Sequence, residues 1–145
     1  MDNFSNLLAL LVVYQHNLKV LHWKVSGKDF DNKHKILSDY YDKFDEFIDQ
    51  VAELGMEINI EPLSFNAVHS LCNEMSESVI MCHANQDYEG KDALKIVGSM
   101  FDQLIANIDK CQQDKDLPSD ILSDLDSIKA YLRLESHYKN KRRLK

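Results

Sequence analysis

Glycine and proline are scarce in this chain, with four glycines and only Pro62 and Pro118 among 145 residues. A sandwich or barrel needs far more turn residues, so a few long helices are expected before any periodicity is read. Cysteine is scarce too. Cys72, Cys82 and Cys111 are odd in number and form no CxxC, which argues against a disulfide framework or a zinc knuckle and points to a reducing compartment. Long apolar runs are missing: the stretch from Leu7 to Val13 is too short to span a bilayer, and the N-terminus lacks the basic start of a signal peptide. A soluble, cytoplasmic protein with no membrane partner is therefore expected. Lys and Arg are absent between Lys43 and Lys91, whereas the last seven residues hold five basic side chains. With a formal net charge of -7, the body of the protein should repel nucleic acid and tolerate cations.

What is present is helical periodicity. Phe4, Leu7, Leu11, Tyr14, Leu18 and Leu21 trace a first helix from about residue 4 until Ser26 and Gly27 interrupt it. With Asp31 or Asn32 as N-cap, Leu37, Tyr40, Phe44, Ile48 and Val51 trace a second, ending near Leu54 and Gly55. Residues 56–90 are less regular and read as a long crossover with a small helix, a turn or two near Met75 to Met81. Leu94, Val97, Phe101, Leu104 and Ile108 mark a third helix, and Pro118 suits the first turn of a fourth that carries Leu122, Leu125, Ile128 and Leu132. Two helix pairs joined by a long crossover describe a ferritin-like four-helix bundle over residues 1–138, followed by a basic tail over 139–145.

The acidic residues of the second helix are not spread round its surface. At about 100° per residue, Asp42, Glu46, Asp49 and Glu53 project within roughly 60° of one another, with no interleaved Lys or Arg to offset their repulsion. Either solvent or something outside the helix favours this stripe. His22 near the end of the first helix and His34 in the first turn of the second, where the helix dipole favours an uncharged ring, supply imidazoles. Two imidazoles and two carboxylates form a mixed nitrogen and oxygen set suited to Fe(II) and acceptable to Zn or Mn. His34 and Asp49 are roughly 22 Å apart along one helix at 1.5 Å per residue, so they cannot share an ion within one chain. If all four are ligands, two copies must meet. Antiparallel second helices about a two-fold axis would give two equivalent sites per dimer. His16, His69, His83 and His137 read as ordinary surface or structural residues.

The string LHWKVSGKDFDNKH at 21–34, followed by DQVAELG at 49–55, resembles the signature of Dps-like miniferritins, DNA-binding proteins from starved cells. An HW pair is followed by V, G and F, by a second His twelve residues after the first, and by D-x-x-x-E, all at matching spacing. The resemblance covers the first two helices closely and the remainder by helix order. It implies an all-α, ferritin-like bundle with a ferroxidase centre between two-fold-related subunits. The catalytic and metal-binding residues would be His22 and His34 from one chain and Asp49 and Glu53 from the other. It further implies a hollow dodecamer that oxidises Fe(II) with hydrogen peroxide, stores the ferric product and protects against oxidative damage. Trp23 matches a tryptophan beside the centre, where it would intercept radicals or else pack in the core.

The departures are specific. Ser38 stands where these proteins commonly carry Asp, one turn after the second His, and Asp39 lies about 100° further round, able to substitute as a ligand only with local adjustment. Lys33 replaces a usual leucine and Leu54 a usual arginine. The chain is thus expected to be a divergent member, with weaker or single-metal binding left open. Asp116, Asp120 and Asp124 resemble the region lining iron-entry pores, and an acidic first helical turn explains them as well. The tail residues Lys139, Lys141, Arg142, Arg143 and Lys145 are expected to be flexible and to contact DNA phosphates. The competing expectation is a ferritin-like structural or DNA-binding shell whose oxidising activity is weak or lost.

Overall fold

The computed structural model describes residues 2–145. Helix α1 (Asn3–Lys24) opens on Asp2, whose carboxylate accepts from the Phe4 amide at 2.9 Å and from the Ser5 hydroxyl at 2.9 Å. A two-residue strand, β1 (Val25–Ser26), and a turn at Gly27 lead into α2 (Phe30–Glu57). Gly27 sits at φ +106°, a conformation that side-chain-bearing residues rarely adopt. The crossover carries α3 (Phe65–Met75) and β2 (Tyr88–Glu89), which pairs parallel with β1. Helices α4 (Gly90–Gln112) and α5 (Ser119–Leu134) complete the four-helix bundle. A π-helical turn, Glu135–Lys139, joins α5 to α6 (Asn140–Arg143).

The apolar stripes converge on one core in which Tyr14, Leu18, Phe44, Val97, Phe101 and Leu125 are inaccessible to solvent. Phe44 stacks on Phe101 at 5.6 Å between centroids, and Tyr40 meets the same ring edge-on at 5.1 Å. The run Leu7 to Val13 is apolar on more than one face because α1 is covered twice. Its inner face meets α2 and α4, while Val68 and Leu71 of α3 close over Ala9 outside. Lys33 is 7% exposed and lays its aliphatic stem over Gly90, where an added Cβ would come within 2.7 Å of the Lys33 Cγ. The stem thereby fills space that an apolar side chain would otherwise occupy.

Four sequence expectations are corrected. The crossover helix lies at Phe65–Met75 rather than Met75 to Met81, because Ser64 caps it by accepting from the Ala67 amide at 3.2 Å and Val68 and Leu71 find a partner in Ala9. Residues 76–78 form one 3₁₀ turn, and the chain beyond is held by α1 and α4 side chains. Asn17 donates to the Ile80 carbonyl at 2.7 Å and accepts from the Cys82 amide at 3.3 Å, Tyr14 accepts from the Ile80 amide at 3.1 Å, and Gln103 donates to the Ser78 carbonyl at 2.6 Å. Second, α2 begins at Phe30, with Asp29 at the cap position, and runs on to Glu57 before Asn59 turns the chain at φ +64°. His34 therefore lies in the second turn. Third, Pro118 sits just before α5 rather than in its first turn. Fourth, the C-terminal residues are helical and docked instead of flexible, and the helix passes without a break through the expected boundary at residue 138.

That docking is polar. Glu135 is 5% exposed and accepts from the Tyr40 hydroxyl at 3.0 Å, with Lys139 at 2.9 Å and Arg143 at 3.4 Å. Arg143 also donates to Tyr40 Oη at 3.1 Å and to Asn140 Oδ1 at 2.8 Å. Burial, and then the neighbouring Glu135 carboxylate, push the Tyr40 phenol well above its usual value, so it stays protonated and able to donate.

Candidate metal centre

The last turn of α1 and the second turn of α2 lie side by side because only five residues connect the two helices. His22 and His34 meet there with their rings stacked at 3.6 Å and 17° between planes. Their hydrogen bonds are reciprocal: His22 Nδ1 lies 2.7 Å from the His34 carbonyl oxygen, and His34 Nδ1 lies 2.8 Å from that of His22. A carbonyl can only accept, so each ring donates from Nδ1, and Nε2 is the nitrogen that no protein group engages. The same bonds satisfy the His22 carbonyl, which the end of α1 would otherwise leave without a partner. Phe30 stacks on His34 at 4.8 Å, and Tyr41 meets His22 edge-on at 5.3 Å, so the pair is bracketed by aromatic rings. The Lys19 ammonium lies 5.6 Å from the centroid of Tyr41.

The four expected ligands fall into two groups. His22 and His34 come together, while Asp49 and Glu53 lie exposed one turn apart towards the other end of α2. Among the described residues no three His, Cys, Asp or Glu side chains cluster as a metal site within one chain. Asp39 is drawn into an ion pair with Lys35 at 3.3 Å, and the Ser38 hydroxyl donates back to the Lys35 carbonyl at 2.8 Å. The acidic stripe is not wholly without offset, since Lys43 reaches Glu46 at 3.4 Å. Trp23 is 60% exposed, with its edge towards His16, so it does not pack in the core.

The remaining candidates are dispersed. Asp116 belongs to the α4–α5 loop, where its amide donates to Asp114 at 3.0 Å; Asp120 opens α5 and Asp124 follows one turn later, half-buried. Of the basic residues, Lys139 and Arg143 are committed to Glu135, while Lys141, Arg142 and Lys145 face solvent. Sequence reasoning missed the bracketing roles of Phe30 and Tyr41. Phe30 stands four residues before His34 and so was legible as a helical neighbour. It also missed the cluster of Tyr40, Glu135, Asn140 and Arg143, whose members are up to 103 residues apart.

No protein-family model matches the chain. General stress protein 20U of Bacillus subtilis (strain 168) is 24% identical over 113 residues, spanning 78% of this chain and 70% of that protein. A Dps protein from Bacillus brevis superposes with a TM-score of 0.85 at 20% identity, covering 99% of this chain and 93% of that one. CAIP from Helicobacter cinaedi superposes with a TM-score of 0.83 at 18% identity, covering 99% and 97%. In fold, the chain is similar to these Dps-type structures, and both are ferritin-like four-helix bundles.

Proposed function

We propose that this protein oxidises and stores iron at a site completed by two copies of the chain. The observation that carries the reading is the reciprocal His22–His34 pair, which fixes both imidazoles with unencumbered Nε2 atoms at one end of a helix whose other end presents Asp49 and Glu53. A second copy, with its α2 antiparallel, would bring its Asp49 and Glu53 to this pair. Fe(II) is then substrate: the imidazoles and carboxylates would bind it, and each hydrogen peroxide, with two protons from solvent, takes one electron from each of two ferrous ions and leaves as two waters. The likeness in fold to the Dps protein and the similarity to a general stress protein support a role in protection against oxidative damage, carried out in the cytoplasm by a shell of subunits, a dodecamer of two-fold dimers. Asp120 and Asp124, with Asp116, would attract cations to such a shell.

The test uses mixed subunits. His22→Ala and Asp49→Ala are each expected to slow the formation of soluble ferric product by about tenfold or more. A His22→Ala/His34→Ala chain and an Asp49→Ala/Glu53→Ala chain, each inactive alone, should recover activity after being unfolded and reassembled together. One site of every mixed dimer is then intact, or about a quarter of all sites after random pairing. Unchanged rates in the single variants would reject the reading, and elemental analysis separates iron from Zn or Mn as the native metal.

A second reading has an observation of its own, Ser38 one turn beyond His34 with no carboxylate to offer. A shell with weak or lost oxidation, binding nucleic acid through exposed Lys141, Arg142 and Lys145, would shift DNA mobility at low salt and lose the shift in Lys141→Ala/Arg142→Ala/Lys145→Ala. No shift with the full chain would exclude the DNA-binding version.

A further inference from the structure

We infer that each inter-subunit centre takes a single divalent ion, and that Ser38 is the residue that sets this number. The inference rests on the two-copy centre proposed above and concerns only how many ions it holds. Charge decides it. The centre would contain two imidazoles, each with Nδ1 engaged by a carbonyl and only Nε2 left to bind an ion, and two carboxylates. One divalent ion is neutralised by Asp49 and Glu53 of the partner copy, whereas two would leave an excess of two positive charges in a small volume. The ring centroids are 3.6 Å apart, so both imidazoles serve one small volume, in which a second ion would need further carboxylates to offset the repulsion. Di-metal sites in helical bundles are built from four carboxylates and two histidines, and half of those carboxylates are missing here.

Within one chain no third His, Cys, Asp or Glu among the described residues clusters with the pair to make up the deficit. Position 38 lies one turn beyond His34 on nearly the same face, and its short neutral hydroxyl is turned back to the Lys35 carbonyl at 2.8 Å. Asp39 is paired with Lys35 at 3.3 Å and lies about 100° round the helix. Asp42 is two turns from His34, about 12 Å along the axis. Bridging through imidazole is closed as well, because each Nδ1 is occupied by a carbonyl and each ring has one nitrogen left to give.

The experiment is a titration of the assembled, metal-free protein with Co(II), read by equilibrium dialysis and by the visible absorption of the bound ion. The expected result is one Co(II) per chain for the natural sequence, one for Ser38→Ala, and two for Ser38→Asp, with new absorption appearing only in the last. Ser38→Ala removes only the hydroxyl's bond to a helix carbonyl, so it keeps the count testable if Ser38→Asp assembles poorly. Two ions per chain in the natural sequence would overturn the inference while leaving the centre itself standing, as would a single ion in well-folded Ser38→Asp. No bound Co(II) in any variant, or binding indifferent to His22→Ala and Asp49→Ala, would instead remove the centre and the inference with it.

Discussion

The three thiols illustrate how a single residue's surroundings set its chemistry. Burial pushes Cys82 from the ordinary 9.0 up to about 11 and Cys111 up to about 12, and raises Cys72 as well. In a protein proposed to meet peroxide, thiols held protonated react slowly, since the thiolate is the form that is oxidised. Iodoacetamide at pH 8 should therefore label Cys111 only after unfolding, and rapid labelling of the native protein would contradict this. These shifts also set a pH dependence. An acid whose pKa is higher folded than unfolded keeps its full contribution below 9.0, and that contribution is lost as pH rises towards 11 for Cys82 and 12 for Cys111. The urea midpoint should fall between pH 9 and pH 11, more gently in Cys82→Ala. Gly27 makes a different demand, since its φ of +106° lies between the two helices that carry the histidine pair. Gly27→Ala should cost about 1 kcal/mol in denaturant unfolding and weaken metal binding, because the strained turn positions His22 against His34.

At the scale of elements, the C-terminal segment departs furthest from its sequence pattern. Lys139 to Lys145 reads as a solvated basic run, yet Asn140 is 2% exposed and Arg143 reaches Tyr40 on α2. The π turn at Glu135–Lys139 accompanies this docking, with Glu135 buried against Tyr40, Lys139 and Arg143. Glu135→Ala should destabilise the fold by about 3 kcal/mol, since it leaves an arginine and a phenol without their shared acceptor. Trypsin would then cut after Arg142 and Arg143 much faster than in the natural sequence, whereas Lys141→Ala, on the exposed side, should change stability by less than about 0.5 kcal/mol. An unaltered cleavage rate in Glu135→Ala would mean that the segment is held by something other than this cluster. The crossover helix teaches the same lesson: Val68 and Leu71 were visible as an apolar patch, but the surface that receives them, Ala9, is on a helix some sixty residues earlier.

For the whole molecule, the decisive quantity is length. Helix α2 runs unbroken through 28 residues, about 42 Å, and keeps its histidine end and its Asp49–Glu53 end apart. A metal bound between two copies would couple binding to association, so Co(II) should raise the unfolding midpoint by an amount that grows with protein concentration. At free metal one hundred times its dissociation constant the gain is about 2.7 kcal/mol. His22→Ala should lose that response, and a gain independent of protein concentration would point to a site within one chain. A net charge of -7 attracts cations and repels nucleic acid, so the proposed contact through Lys141, Arg142 and Lys145 would need repetition across copies to be strong.

Taken alone, the sequence determined the number and kind of the bundle helices, because a 3.6-residue period is a local property that neighbours along the chain share. It also determined that His34 and Asp49 stand too far apart to meet, because the rise of a helix is constant. Only the tertiary structure decided which imidazole nitrogens are free, since that depends on carbonyls twelve residues away. The same holds for the crossover, which Asn17 holds from across the fold, and for the basic end, which Glu135 draws into the core. Those outcomes turn on hydrogen-bond partners remote in sequence, and a pattern that repeats every few residues carries no record of them.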